Sequence, residues 1–380
     1  MTDRYDVIVI GIGGMGSATV AHLAARGQNV LGLEQYDIPH THGSSHGVTR
    51  IIRKPQYEDP AYVPLVERAY ELWRSLESDS GRDLLHITGG LDIGTKESKV
   101  FSEARRSCEE HDIAYDVLDA DTVNTRFPGY AVPEDQYAIY QPEGGFVVPE
   151  QCIIAHVESA IEHGATISAR EPVTAFEATE DESVRVETTK ETYEADRLVV
   201  TAGAWVPKLI PEIASVAVPE RQVLAWLQPN EPALFDQSSF PIFVHEVEGE
   251  HFYGFPVYDV PGFKFGKFNH RNEVVDPTQS LTEPTTTDEE LLRSYAKTYF
   301  PSGAGPTMQL ATCMFTNTPD QHFILDRHPE FPQITIGAGF SGHGFKFASV
   351  IGEILADLST SGETTHDIGL FSLDRFAEQL

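Results

Sequence analysis

The stretch "YDVIVIGIGGMGSATVAHLAARGQNVLGLE", residues 5 to 34, restricts the fold more than any other part of the 380-residue chain. "YDVIVI" is apolar and β-branched, the pattern of a strand buried on both faces of a parallel sheet. Gly11-Ile12-Gly13-Gly14-Met15-Gly16 follows as G-x-G-x-x-G, and "SATVAHLAARG" reads as a helix ended by Gly27. A second apolar strand, "NVLGLE", ends at Glu34. Each part has a physical task. Gly11 permits the tight turn, Gly13 lets the backbone approach a pyrophosphate, and Gly16 allows close helix–strand packing. The helix N-terminus attracts the anion, and Glu34 accepts ribose hydroxyls, which argues against a 2′-phosphate. The motif by itself does not separate FAD from NAD.

The same grammar returns near the end, in "QITIGAGFSGHGFKFASVIGEILADL". A strand runs into glycines, and a helix is expected from about Phe345 to Leu358. A simple NAD dehydrogenase has no need of a second such turn. A flavoenzyme has, because a helix N-terminus aimed at the N1–C2=O edge of the ring stabilises the charge that appears on reduction. An ordinary glycine-rich strand–helix connection fits the pattern equally well. A third piece, "DRLVVTAGAWVPKLI", reads as strand, small-residue turn and helix start. Between these pieces lie aromatic- and proline-rich segments with antiparallel strand patterns, such as "EHFYGFPVYD" and "FKFGKFNHR". The expected fold class is α/β plus β. A discontinuous nucleotide-binding domain takes residues 1–82, 149–217 and 313–380, and a substrate domain takes 83–148 and 218–312.

The length exceeds what one hydrophobic core normally serves, in keeping with two domains. The 58 acidic residues against 27 basic ones give a net charge of −31. Such a chain repels nucleic acid and anionic membranes. The acids are scattered, as in "EDPAY", "SCEEHDIAYD" and "EATEDES". That surface suits high salt, where a Debye length of about 3 Å screens self-repulsion. A halophilic source is expected, with an acidic mesophilic protein as the alternative. No apolar run is long enough to span a bilayer, and the protein is read as cytoplasmic. Three widely spaced cysteines, Cys108, Cys152 and Cys313, make no disulfide framework. His40, His42 and His46 lack converging spacing and an acid among them, so no metal is expected.

Several stretches together carry a resemblance: the N-terminal G-I-G-G-M-G, "GSSHGVTRIIR" (43–53), "TAGAW" (201–205), and "TCMFTNTPDQHFILDRHP" followed by "GAGFSGHGFKFAS". The chain resembles, nearly end to end, the monomeric sarcosine oxidase and N-methyltryptophan oxidase family of flavin-dependent amine oxidases. The resemblance implies an FAD domain of the glutathione-reductase-like type and a substrate domain with a mixed sheet over the flavin. It implies oxidation of a secondary amino acid, a small-molecule substrate, by O2. The products are hydrogen peroxide and an imine that hydrolyses to amine plus aldehyde. The family precedent is a monomer.

Carried over residue by residue, the resemblance places Cys313 as the covalent link to the flavin 8α-methyl carbon. A cysteine without that motif would read as a buried apolar filler. Arg53 and Lys346 match positions that grip the substrate carboxylate, and Arg50 and His46 match residues beside the flavin. Lys264 alternates with phenylalanines, which by pattern alone suggests a solvent-facing strand residue. The family role puts it over the flavin, promoting reaction with O2. Tyr253 matches a pocket tyrosine. The cofactor-binding set is Gly11, Gly13, Gly16, Glu34, Ser44, Arg50, Ala202, Gly203, Trp205, Cys313, Gly342, Gly344 and Lys346. No catalytic base stands out, which suits direct hydride transfer.

Four positions depart from the sarcosine oxidase pattern. Phe315 stands for tyrosine, Phe268 for histidine (with His270 two residues on), and Ser45 and Val48 for a histidine and an aspartate. The expectation is a substrate bulkier or more apolar than sarcosine. Rival readings are a related oxidase or dehydrogenase for proline, pipecolate or a glycated amino acid, a non-catalytic FAD-binding subunit, and a plain NAD dehydrogenase.

Overall fold

The computed structural model describes residues 4–279 and 281–380. Its first sheet is built on the strand Arg4–Ile10, whose last four residues are buried. Val30–Leu33 pairs parallel on one edge and Thr192–Val200 on the other. Thr166–Ser168 and Ile334–Ala338 extend the parallel set outward. A hairpin, Val173–Ala178 with Val184–Thr188, joins the first half of Thr192–Val200 antiparallel. Ile324–Arg327 closes the far side on Ile334–Ala338. Parallel strands buried on both faces explain the unbroken apolar runs in "YDVIVI" and "RLVV".

Helices cover this sheet. Gly14–Ala25 packs between Pro149–Glu162 and Ala348–Thr360. Gly352 is needed there, since a Cβ on it would lie 2.4 Å from the Ala18 Cβ. The C-terminal helix expected from Phe345 begins with a 3-10 turn, Phe345–Phe347, before turning α at Ala348. Val63–Ser80 stacks outside it and ends at Gly81 in the left-handed conformation. No helix among the described residues is long and apolar enough to cross a membrane.

The second sheet is mixed. Its order is Glu273–Val274, Val218–Leu227, Val260–Lys267, Glu250–Tyr258, Ile242–Val247, Gly90–Gly94, Tyr137–Gln141 and Asp116–Asp119. Thr307–Asn317 pairs along Val218–Leu227 on the edge away from Val260–Lys267 and Glu273–Val274. The boundary expected at residue 313 therefore falls inside a strand, because backbone pairing carries Met314 to Asn317 into the second sheet. One face packs on an aromatic core that includes Phe240, Phe243, Phe263 and Phe300 under the helix Thr286–Tyr299. Each such ring contributes about 1.5–3 kcal/mol on burial. The helix opens with a capping box between Thr285 and Asp288. Asp288 also pairs with Arg221 and His270, both at 3.0 Å.

A three-stranded sheet bridges the two large ones. Gly145–Val147 lies between Arg50–Ile52 and Leu85–Ile87. It brings Arg50 and Arg53, from the N-terminal part, against the second sheet. Replacing Gly352 with alanine should overpack the helix crossing and cost about 1–3 kcal/mol. A urea melt measures this, and an unchanged midpoint would mean that the crossing relaxes freely.

Candidate active site

A cavity of about 540 Å³ runs from the first glycine turn to the C-terminal one. At its nucleotide end Gly11 has φ 88°, and a Cβ there would lie 2.8 Å from the Thr201 carbonyl oxygen. A Cβ on Gly16 would lie 1.8 Å from the Gly11 oxygen. The helix Gly14–Ala25 begins at Gly13 with no side-chain cap. Gly14 N–H donates to Ser45 Oγ at 3.2 Å. Glu34 is buried, and its two oxygens accept from Ile12 N–H (2.9 Å) and Tyr36 N–H (3.0 Å). An open helix N-terminus, a glycine cradle and an acid at the end of the second strand are what a dinucleotide requires. The cavity continues past Ala202, Gly203 and Trp205 to Ser44 and Arg50, then to Cys313 and the run Gly342–Lys346. The residues present therefore fit FAD.

In the middle of the cavity the loop 44–50 is fixed by the second sheet. Ser44 Oγ donates to the Met314 carbonyl at 2.5 Å, and Arg50 donates to the Ser44 and Thr49 carbonyls. Cys313 is a buried free cysteine at the cavity wall. Burial pushes its thiol up, against the pull of Arg50 and Lys264. His46 is buried and held neutral, pushed down to about 3 by burial and by Arg50 and Lys264. Its Nε2 has no partner.

Lys264 is 2% exposed, not solvent-facing as its strand pattern suggests. Its flanking phenylalanines do face the opposite way, into the aromatic core, but the lysine face is covered too. Lys264 Nζ donates to the Gly47 and Thr49 carbonyls, both at 2.7 Å, and to Thr49 Oγ1 at 3.2 Å. Burial, helped by Arg50, pushes its pKa well below the lysine range. Three acceptors favour the charged form. The turn that supplies them is strained, because Val48 sits at φ 73°, a region hostile to β-branched residues. Glu150 holds it by accepting from Gly47 N–H (2.7 Å) and Val48 N–H (3.1 Å). Neither Lys264 nor His46 lines the cavity itself.

At the far end four charged groups meet. Arg53, Asp92 and Lys346 are 4% exposed or less. Arg53 Nη2 reaches both Glu58 oxygens, at 3.3 and 3.1 Å, and its Nε lies 3.5 Å from Asp92 Oδ1. Lys346 Nζ is 3.7 Å from Glu58 Oε1. Burial opposes the charge on Glu58, but Lys346 and Arg53 hold it well below the carboxylate range. Burial lowers Lys346 to about 8, with Glu58 opposing. Trp73 donates to the Lys346 carbonyl at 2.9 Å and so sets the backbone of that residue. His343 lies beside the cluster, held neutral by burial at about 4.

Sequence reasoning missed Glu58, Asp92 and His343. Glu58 lies in "EDPAY", read as acidic surface, yet its side chain is only 9% exposed. Asp92 offered a signal, an acid inside the otherwise apolar "GLDIG".

The wall facing this cluster is aromatic. Tyr57 lies under Arg53, with the guanidinium 4.7 Å from the ring. His251 meets Tyr57 edge-on at 5.5 Å, and Phe268 and Phe315 are 5.3 Å apart. Tyr253 lines the same wall. Gly342 is close beneath, since a Cβ there would lie 2.5 Å from the Phe315 ring. Of the four departures, only Phe268 and Phe315 belong to this wall. Ser45 serves the nucleotide helix and Val48 the turn bound by Glu150. His270 is turned away to Asp288 and replaces no polar group in the cavity. His40 and His42 pack against Tyr36 with their rings tilted, and among the described residues no three metal-ligating side chains converge.

Comparison with known proteins agrees with this geometry. The model of the family described as FAD dependent oxidoreductase matches residues 6–358. A monomeric sarcosine oxidase of Streptomyces avermitilis is 42% identical, over 99% of each chain. An N-methyl-L-tryptophan oxidase of Yersinia pestis is 33% identical, over 98% of this chain and 99% of its own. Among solved structures, NikD, an amino acid oxidase essential for nikkomycin biosynthesis, superposes with a TM-score of 0.83 at 26% identity, covering 98% of both chains. A chain with an FAD cradle, matched end to end by these oxidases, belongs to the FAD dependent oxidoreductase family, among its flavin-dependent amine oxidases.

Proposed function

We propose that the protein oxidises an N-methyl amino acid whose side chain is larger and more apolar than that of sarcosine. The observation that carries this is one cavity in which two buried cations, Arg53 and Lys346, face an aromatic wall and open onto the FAD cradle. Arg53 offers a planar fork and Lys346 a point charge for the substrate carboxylate. For that to happen the carboxylate shares with Glu58 the two cations that now hold it. The wall of Tyr57, Tyr253, Phe268 and Phe315 favours the neutral amine by excluding water. Bound FAD supplies the acceptor for the hydride of the C–H bond beside the nitrogen. No side-chain base is required, since the nitrogen lone pair drives the cleavage.

On this reading Arg50 flanks the flavin edge with His46 behind it, and Lys264 favours negative charge on incoming O2 from behind the cavity wall. Cys313 tethers the flavin through a thioether, supported by its buried place at the cavity wall. The first sheet with its helices is then the FAD-binding domain, and the second sheet roofs the substrate. The protein works as a cytoplasmic monomer.

Acid precipitation tests the tether. Yellow colour should stay with the pellet of the wild type and leave with the supernatant of Cys313→Ser. Colour in the wild-type supernatant would reduce Cys313 to packing. Rates on sarcosine, N-methyl aromatic amino acids, proline and pipecolate test the substrate. N-methyl aromatic amino acids should give the highest kcat/KM, and sarcosine as clearly the best substrate would overturn the size argument.

The clamp has its own pH signature. Lys346 is charged below about 8 and loses its charge above. Inhibition by a carboxylate that lacks an amine should therefore weaken as pH rises through that value. Lys346→Met should abolish this bend and weaken inhibition at neutral pH by about 10- to 100-fold, as loss of a charged hydrogen bond of ~1.5–3 kcal/mol implies. A bend that survives in the variant would assign it to another group.

A further inference from the structure

The buried charge cluster holds one acid more than a carboxylate clamp needs. Without substrate the cations Arg53 and Lys346 are matched by Glu58 and Asp92. A docked carboxylate brings a third negative charge to a cluster whose side chains are 9% exposed or less. Burial without a counter-ion is strongly unfavourable, so one negative charge has to be neutralised or leave.

The two resident acids are not equally placed. Glu58 lines the cavity and has two cations beside it, Arg53 Nη2 at 3.1 Å and Lys346 Nζ at 3.7 Å. Asp92 does not line the cavity. It stands behind Arg53, with that side chain's Nε at 3.5 Å, and its Oδ1 accepts no hydrogen bond. Its neighbours across the sheet, Ile139 and Val244, bring no charge. On the helix Lys99–Glu110 the Cys108 thiol is near enough to be affected by Asp92, and is pushed up to about 12 by burial and by that carboxylate. The Tyr57 ring closes the side towards Arg53 and stays un-ionised, raised by burial and by Glu58. Asp92 is thus the least compensated charge in the cluster.

We propose that Asp92 takes up a proton from solvent when a carboxylate docks on Arg53 and Lys346, and returns it when the ligand leaves. The inference rests on the reading of those two residues as the clamp. The proton goes to the Asp92 carboxyl, no covalent bond is made or broken, and the cluster returns to two positive and two negative charges. The resting electrostatics lean the same way. Burial raises Asp92 to about 6 against the pull of Arg53 and, more weakly, Lys346, with Glu58 adding to the rise. A further carboxylate acts in the direction of Glu58. Below about pH 6 Asp92 is already neutral and no proton is taken up. Between about 6 and 8, with Lys346 still charged, uptake accompanies binding, and affinity falls as pH rises.

The test uses the full-length holoenzyme and phenylacetate, a carboxylate with no amine to titrate or oxidise. Calorimetry in buffers of different ionisation enthalpy should show about one proton taken up per ligand at neutral pH. None should be taken up at pH 5, or in Asp92→Asn. Infrared difference spectra should show a protonated carboxyl C=O band on binding that shifts with ¹³C-aspartate and is absent in Asp92→Asn. No uptake in the wild type, uptake that persists at pH 5, or a band insensitive to the aspartate label would overturn the proposal. The last result would give the proton to Glu58. If phenylacetate does not compete with substrate, or binds Lys346→Met as well as wild type, the clamp itself fails and this inference with it. The wild-type proton count and labelled spectrum decide the matter even if Asp92→Asn does not fold.

Discussion

Four charges buried together, Arg53, Glu58, Asp92 and Lys346, constrain the rest of this molecule. They come from the strand–loop segment after Arg50–Ile52, the second sheet and the C-terminal glycine turn. Removing one partner leaves an unpaired charge, which costs about 3–5 kcal/mol in a protein interior. The pieces therefore have to arrive in register. Trp73 fixes the Lys346 backbone from one side, and the three-stranded sheet fixes Arg53 from another. On the proposed reading, substrate recognition and architecture share the same groups. The cations that would hold a substrate are the ones that now hold Glu58.

A second tie works the same way nearer the flavin cradle. Lys264 comes from the second sheet, and its acceptors come from the Gly47–Thr49 turn. Glu150, at the start of the helix Pro149–Glu162, secures that turn from below. Val48 bears the strain of a left-handed conformation there. Strain at such a place persists only where surrounding contacts over-determine it. Here the buried Lys264 amine and the partly buried Glu150 carboxylate do so.

Much of the cofactor side could be read from the chain because it is local. Strand, glycine turn, helix and acid lie within residues 4 to 34, and each is diagnosed by spacing or by a missing Cβ. The C-terminal turn has the same character, apart from the 3-10 start at Phe345. The substrate side was less legible. Glu58 looked like surface because acids usually are, and only tertiary packing buries it. Lys264 looked half exposed because strand alternation tells which residues share a face, not whether that face is covered. Ser45 and Val48 counted among the departures that bear on substrate because they stand for a histidine and an aspartate of the family pattern, but the loop turns them elsewhere.

The sequence alone determined the nucleotide fold, the family and the list of chemically able residues, since these rest on short-range periodicity and on motifs. Only the tertiary structure decided which of those residues meet. It set Arg53 and Lys346 around Glu58, placed Asp92 behind them, and left Phe268 and Phe315 as the departures that face the cavity. Those outcomes depend on pairing between strands more than a hundred residues apart, such as Gly90–Gly94 with Ile242–Val247, and no local pattern encodes that register.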